Sequence, residues 1–261
     1  MRILITGATS GIGYKLGVEL AKRGHIVYMC THTVEELFYL REKLKRDNVK
    51  AISFKMDITT EDIYLVNNIK IDCLINHAGI GIGGSLLYMD VDFLRKNYEV
   101  NIFSSFKLLR LVYENMVKNK IDGKIFVTSS VAAYLPFPFL GCYTSSKAAI
   151  TMLCRTIKEE LKYLKSNICI SIIEPGAYKT GFNQVMIDNK NKFMNKENPI
   201  YDNIESINKI QRNLFRLLEK DDYSDLVKKI IKEIERKRSK FIIRRPLGLN
   251  IFMKFYYLFF Y

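Results

Sequence analysis

The sequence predicts an α/β fold: a doubly wound, mostly parallel seven-stranded sheet with helices on both faces. Three observations carry this. Short apolar runs alternate with amphipathic stretches along the chain, the pattern of successive βαβ units. The first run leads directly into a glycine-rich turn and then a helical pattern. Finally, 261 residues with 48% apolar side chains suffice to bury one large core, so residues 1–261 are expected to form a single domain.

Strands are expected near residues 2–6, 26–30, 51–56, 71–75, 123–128, 168–173 and 239–244, with helices filling the gaps. Parallel neighbours need right-handed crossovers, which place a ligand at the carboxyl ends of the strands where their order reverses. From about 177 to 220 the rhythm is broken by Asn, Lys and scattered aromatics, which suits a mobile lid better than another βα unit.

After the first strand come Gly7, Ala8, Thr9, Ser10, Gly11, Ile12 and Gly13. A strand, a glycine turn and a helix in that order make a Rossmann-type dinucleotide site. Glycines let the backbone approach a pyrophosphate, and the helix start offers N–H groups and a positive dipole end. The spacing is Gly-x-x-x-Gly-x-Gly, which departs from the common Gly-x-Gly-x-x-Gly fingerprint. Farther along, Tyr143 and Lys147 stand four residues apart, on one face of a helix. An ammonium there can favour the charged form of the phenol and bring its titration toward neutrality, making it usable as an acid or base.

With these motifs the chain resembles the classical short-chain dehydrogenases/reductases, whose cofactor motif is Thr-Gly-x-x-x-Gly-x-Gly and whose active site holds Tyr-x-x-x-Lys. Asp57 matches the family's adenine-contacting aspartate, with Ile58 beside it. Asn76-His77-Ala78-Gly79 matches Asn-Asn-Ala-Gly except at His77. Asn101 falls at the helix asparagine, Ser130 at the catalytic serine thirteen residues before Tyr143, and Pro175, Gly176 and Thr180 at the segment embracing the nicotinamide. The resemblance implies a nicotinamide-dependent oxidoreductase in which Tyr143 is the general acid/base. Lys147 would also bind the nicotinamide ribose, Ser130 would hydrogen-bond the substrate oxygen, and Asn101 would hold a relay water. Ser129 is off the serine spacing by one.

The cofactor is expected to be NADP, with NAD as the alternative. Thr31, at the end of the second strand, stands where a carboxylate would hydrogen-bond the ribose 2′-hydroxyl of NAD, and His32 follows where NADP-preferring relatives carry Arg. The substrate walls read as apolar: Leu86 and Leu87 after the fourth strand, Leu135, Phe137, Phe139 and Leu140 after the fifth, and Phe182, Val185, Met186, Phe193 and Met194 in the lid. A small lipophilic ketone, aldehyde or alcohol fits these better than a sugar. The rival readings are 3-oxoacyl-carrier-protein reductase-like activity, which a basic surface would suit, and a dinucleotide-binding sensor or scaffold without turnover.

Net charge is +14, and half of that excess is Arg236, Lys237, Arg238, Lys240, Arg244, Arg245 and Lys254. No nucleic-acid recognition motif accompanies them, so no nucleic-acid partner is expected. The five cysteines are widely spaced inside apolar runs, which reads as buried thiols in a reducing compartment rather than disulfides or a metal site. No stretch has the length of a membrane span, and the run before the glycine turn is too short for a signal peptide. A cytoplasmic protein is expected. The aromatic tail, Asn250 to Tyr261, reads either as packing in a homodimer or homotetramer or as a peripheral membrane contact beside the basic run at 236–245.

Overall fold

The computed structural model describes residues 1–190, 203–246 and 248. Seven strands, β1 (Arg2–Ile5), β2 (Ile26–Thr31), β3 (Ile52–Lys55), β4 (Cys73–Asn76), β5 (Lys124–Thr128), β6 (Cys169–Pro175) and β7 (Ile242–Arg245), form one sheet in the order β3-β2-β1-β4-β5-β6-β7. All six pairings are parallel. The order reverses between β1 and β4, and the crevice above their carboxyl ends is where the glycine turn and the Tyr-x-x-x-Lys helix converge.

The inner strands read as unbroken apolar runs because helices cover both faces. Beneath one face, Ile3, Ile5, Val27, Met29 and Phe126 pack with Leu16 and Leu20 of α1 (Gly11–Lys22), Leu40 and Leu44 of α2 (Val34–Arg46), and Leu226, Ile230 and Ile234 of α8 (Ser224–Glu235). On the other face Leu4, Leu74, Ile125 and Ile172 meet Leu108, Val112 and Met116 of α4 (Ser105–Lys118) and Ile150, Cys154 and Leu161 of α5 (Gly141–Tyr163). The α2 helix shows why its segment starts where it does. Thr33 caps it by accepting from the Glu36 N–H at 3.2 Å, acids fill its first turn and Lys43, Lys45 and Arg46 its last, which suits the helix dipole at both ends. Between α3 (Val91–Tyr98) and α4 the helix runs through a π-helical stretch, Glu99–Ser104.

Six strands lie within two residues of their expected positions. The last begins three residues late because the chain ahead of it serves α8: Ser239 Oγ donates to the Glu233 carbonyl at 2.7 Å and Lys240 N donates to the Glu233 carboxylate at 2.9 Å. The expected lid is the larger difference. Residues 177–220 include two helices, α6 (Phe182–Lys190) and α7 (Ile204–Leu218), on a closed neck. Tyr178 and Lys220 form a parallel bridge, with Lys179 N donating to Lys220 O at 3.0 Å and Lys220 N to Ala177 O at 3.1 Å. Phe193 and Met194 lie outside the described residues, as does the tail from Asn250 to Tyr261.

Part of the basic run at 236–245 is committed to the fold. Arg244 pairs with the buried Glu174 and Arg236 with the buried Glu233 at 3.5 Å. All five cysteines are free, four of them buried. Among the described residues no helix is long and apolar enough to cross a membrane, and no cluster of side chains could hold a metal.

Candidate functional site

The glycine turn requires its glycines sterically. Gly7 adopts φ +65°, and a Cβ on it would lie 3.0 Å from the Ala78 Cα. A Cβ on Gly13 would lie 2.3 Å from the Gly7 carbonyl oxygen, so any side chain would push α1 off the turn. Ser10 is the N-cap residue of α1 and makes no side-chain capping bond. Thr6, which sequence reasoning passed over, closes the floor: its hydroxyl accepts the N–H groups of His77 and Ala78, each at 3.0 Å, tying β1 to the segment after β4. Thr180 stands over the turn, its Cβ 3.2 Å from where a Gly11 side chain would begin. Gly176 is fixed nearby by donating to the Arg245 carbonyl at 2.8 Å, one residue after Pro175.

The side chains of several expected contact residues are buried in the fold. Ile12 and Ile58 are core side chains, 7% and 6% exposed. Asn76 is buried and its amide donates to Ser105 at O (2.9 Å) and Oγ (3.0 Å), which fastens α4 to β4 and places its side chain beneath the crevice rather than in its wall. Thr31 is buried, its hydroxyl donating to the Thr33 carbonyl at 3.1 Å. His32 is exposed and its Nε2 lies 3.2 Å from Asp57 Oδ2. Burial would raise the Asp57 carboxyl, but the Thr59 N–H and hydroxyl, with His32 and Lys55 nearby, outweigh it and hold the group below the usual range. A carboxylate from α2 reaches the glycine turn and the end of β2. Glu36 Oε2 accepts from the Thr9 hydroxyl at 3.2 Å and from the His32 N–H at 2.9 Å.

At the start of α5, Ser130, Tyr143 and Lys147 come together. Ser130 caps the short 3₁₀ turn Val131–Tyr134, its Oγ accepting from Ala132 N at 3.1 Å, and its hydroxyl favours the charged form of the Tyr143 phenol. The neighbouring Ser129 points inward to the Lys147 carbonyl at 3.1 Å and the Thr151 hydroxyl at 2.6 Å. Lys147 is buried and its Nζ donates to the Thr128 carbonyl at 3.0 Å, 5.7 Å from the centre of the Tyr143 ring. Asn101 lies in the π-helical stretch, where its amide brackets Ile80, accepting from N at 2.9 Å and donating to O at 2.8 Å. It also donates to Ser146 Oγ at 3.0 Å, and Asn97, another residue without a sequence signal, donates to the same oxygen at 3.1 Å. Asn101 Oδ1 and Lys147 Nζ would be 3.0 and 3.4 Å from a side chain on Gly79, so both face that glycine.

The electrostatics correct one expectation. Burial pushes the Tyr143 phenol up to about 12, opposed only by the bond from Ser130, and Lys147 does not bring it toward neutrality. The lysine carries the larger consequence itself: burial brings its ammonium down to about 8. His77, where the family pattern has Asn, is brought down to about 4 by burial and then by the charge on Lys147, so its ring is neutral, with Nδ1 3.0 Å from the Thr128 hydroxyl. Around the mouth, the Phe182 ring centre lies 5.5 Å from that of Tyr143 and Met186 packs on Gly81, while Leu86, Leu87 and Val185 are exposed. The loop at 135–140 is tied on both sides, Gly84 N donating to Phe139 O at 2.8 Å and Gln211 Nε2 to Pro138 O at 3.0 Å.

Known proteins are similar to this chain. A 1-acyldihydroxyacetone phosphate reductase of Saccharomyces cerevisiae, named as NADPH-dependent, is 33% identical over 166 residues, 61% of this chain and 55% of its own length. A 3-ketodihydrosphingosine reductase of Bacteroides thetaiotaomicron is 31% identical over 72% of this chain and 66% of its own, so the chain spans between half and two thirds of these two relatives. The 7alpha-hydroxysteroid dehydrogenase of Escherichia coli is 32% identical over 68% of this chain and 71% of that protein. Among solved structures, a short chain dehydrogenase/reductase from Burkholderia phymatum in complex with NAD superposes with a TM-score of 0.83 at 20% identity, covering 98% of this chain and 92% of that one, a likeness of fold. The short chain dehydrogenase family model matches residues 1–191. With that match, the protein belongs to the short-chain dehydrogenase family.

Proposed function

We propose that the protein transfers a hydride between NADP, or NAD, and the carbonyl or secondary alcohol of a small lipophilic substrate. The observation that carries this is the convergence of Ser130, Tyr143 and Lys147 beside the glycine turn at the reversal of strand order. The residues present fit a dinucleotide. Side chains at Gly7, Gly13 and Gly79 would meet backbone or functional groups, so these positions keep open the cradle that such a ligand occupies.

When bound, the nicotinamide supplies or accepts the hydride. Everything else falls to the chain. Ser10, Gly11 and the start of α1 would hold the pyrophosphate, Thr9 and Asp57 the adenine end, and Ala78, Gly79, Pro175, Gly176 and Thr180 the nicotinamide end. Tyr143 remains protonated through neutral pH, so in reduction it stands as the proton donor to the carbonyl oxygen, held in line by Ser130. Lys147, with a pKa of about 8, keeps a positive charge beside that oxygen at neutral pH and stabilises developing alkoxide. Asn101 holds the backbone at Ile80 and, through Ser146, the first turn of α5.

A lipophilic substrate is supported by Phe182 and Met186 at the mouth and by the acyl, sphingoid and steroid substrates named for the three relatives. Self-association into a homodimer or homotetramer is the assembly we expect, supported by exposed Phe103, Phe106 and Met152. The test is nicotinamide absorbance followed with NADPH and NADH across apolar ketones, aldehydes and acyl thioesters. Oxidation of the cofactor with an apolar ketone is expected. Dinucleotide binding by calorimetry without turnover on any of them would favour the silent sensor, and no binding would overturn the proposal.

A further inference from the structure

Glu36 is five residues beyond the position at which a carboxylate would have been sought, and nothing in its local sequence marks it for a ligand. In the fold, one of its oxygens is the meeting point of two donors from different elements: the Thr9 hydroxyl from the glycine turn and the His32 N–H from the end of β2. A hydroxyl and a backbone N–H converging on one oxygen make a seat for an anion. The first turn of α2 adds its positive dipole end, and the Thr33 hydroxyl fixes the Glu36 backbone at 3.2 Å. The imidazole of His32 borders the same place, held 3.2 Å from Asp57. Thr31, by contrast, turns its hydroxyl into the Thr33 carbonyl and offers this seat nothing.

On the reading that this crevice holds a dinucleotide, we infer that Glu36 is an internal stand-in for the ribose 2′-phosphate and sets how strongly the protein discriminates between NADP and NAD. With NAD the carboxylate stays where it is and can accept a hydrogen bond from the 2′-hydroxyl. With NADP it must turn out into solvent, handing the Thr9 hydroxyl and the His32 N–H to the phosphate oxygens. Two anions cannot share one pair of donors. Glu36 therefore narrows the NADP preference expected from the missing carboxylate at Thr31.

The experiment is calorimetric titration of the full chain and of Glu36→Gln with NADP and with NAD, each variant's fold checked by thermal unfolding. Glutamine keeps the size and one acceptor but removes the charge. Glu36→Gln is expected to shift the ratio of NADP to NAD affinity about tenfold toward NADP, on the scale of one displaced like charge. Glu36→Ala should shift it in the same direction, and serves should the glutamine variant fail to fold, whereas Glu36→Asp, which keeps the charge, should move it less. A ratio unmoved in both Glu36→Gln and Glu36→Ala, with the wild type binding either cofactor, would leave Glu36 as a loop fastening and overturn the inference alone. A wild type that binds neither would overturn the dinucleotide reading with it.

Discussion

Arg244, whose side chain is 9% exposed, and the buried Lys147 are cations near the carboxyl end of the sheet, and the protein holds them in opposite ways. Around Arg244 the charge is closed. Its guanidinium bonds one oxygen of Glu174, itself fully buried, while the Tyr134 hydroxyl takes the other and Arg155 donates to that hydroxyl at 3.3 Å. Around Lys147 the charge is open. The ammonium bonds a neutral carbonyl, and among the described residues no carboxylate comes within ion-pair distance. A closed pair holds elements in place and is costly to break, whereas a buried charge without an opposite one is expensive to keep and marks a place where charge is used. The two regions touch through the turn at 131–134, which begins at Ser130 and ends at Tyr134. The closed network thus buttresses the residue that bonds Tyr143.

The largest effect should come from the open region. Tyr143→Phe is expected to lower kcat/KM by about 10²–10⁴-fold with dinucleotide affinity and unfolding temperature near wild type; full turnover in the variant would break the contrast at its working end. Next comes the closed region, where Glu174→Ala leaves Arg244 buried without its anion. A loss of roughly 3–5 kcal/mol is expected in urea unfolding. Stability within about 1 kcal/mol of wild type would mean the network is decoration.

Lys147→Met separates stability from activity. The folded-state value of about 8 lies below the ordinary 10.5, so between these pH values the unfolded chain binds more protons and wild-type stability rises with pH. Below pH 8 the whole cost of the buried ammonium is present, on the order of 3 kcal/mol. The methionine variant should therefore be slow in turnover yet more stable than wild type at pH 7, by an increment that shrinks as pH rises from 8 toward 10.5. Unfolding measured at several pH values decides this, and a variant less stable at pH 7 would contradict the open-charge description. The smallest effect is Ser129→Ala, which should cost about 1 kcal/mol through its lost bonds to Lys147 and Thr151 and leave kcat largely unchanged. Ser130→Ala beside it should do the reverse, and an equal loss of turnover in both would dissolve the distinction between the two serines.

What was legible in the chain was whatever is local. Alternating apolar runs located the strands, because a parallel strand covered on both faces must be apolar throughout. Steric need fixed the glycines, and i, i+4 spacing paired Tyr143 with Lys147. What was not legible depends on partners distant in sequence. Thr6 and His77, Glu36 and Thr9, Asn97 and Ser146, and Glu174 and Arg244 are each brought together by topology, and no local pattern pairs one with the other. The helices within 177–220 were obscured for a different reason: α6 has little contrast between its faces, and Asn and Lys scattered through the segment drew attention away from α7, whose faces are well separated although Asn208 and Gln211 lie among its buried residues.

The neck formed by Tyr178 and Lys220 has a consequence for how such a protein can diversify. Because the two ends of this excursion are hydrogen-bonded to each other, the chain leaves the sheet and returns to it at nearly the same point. Lengthening, shortening or exchanging what lies between alters a closed loop, whose entropy changes only by about 0.6 kcal/mol per doubling of length, without asking β6 or α8 to move. On the proposed function, the segment between the neck residues and the residues of α5 can then be altered on separate schedules.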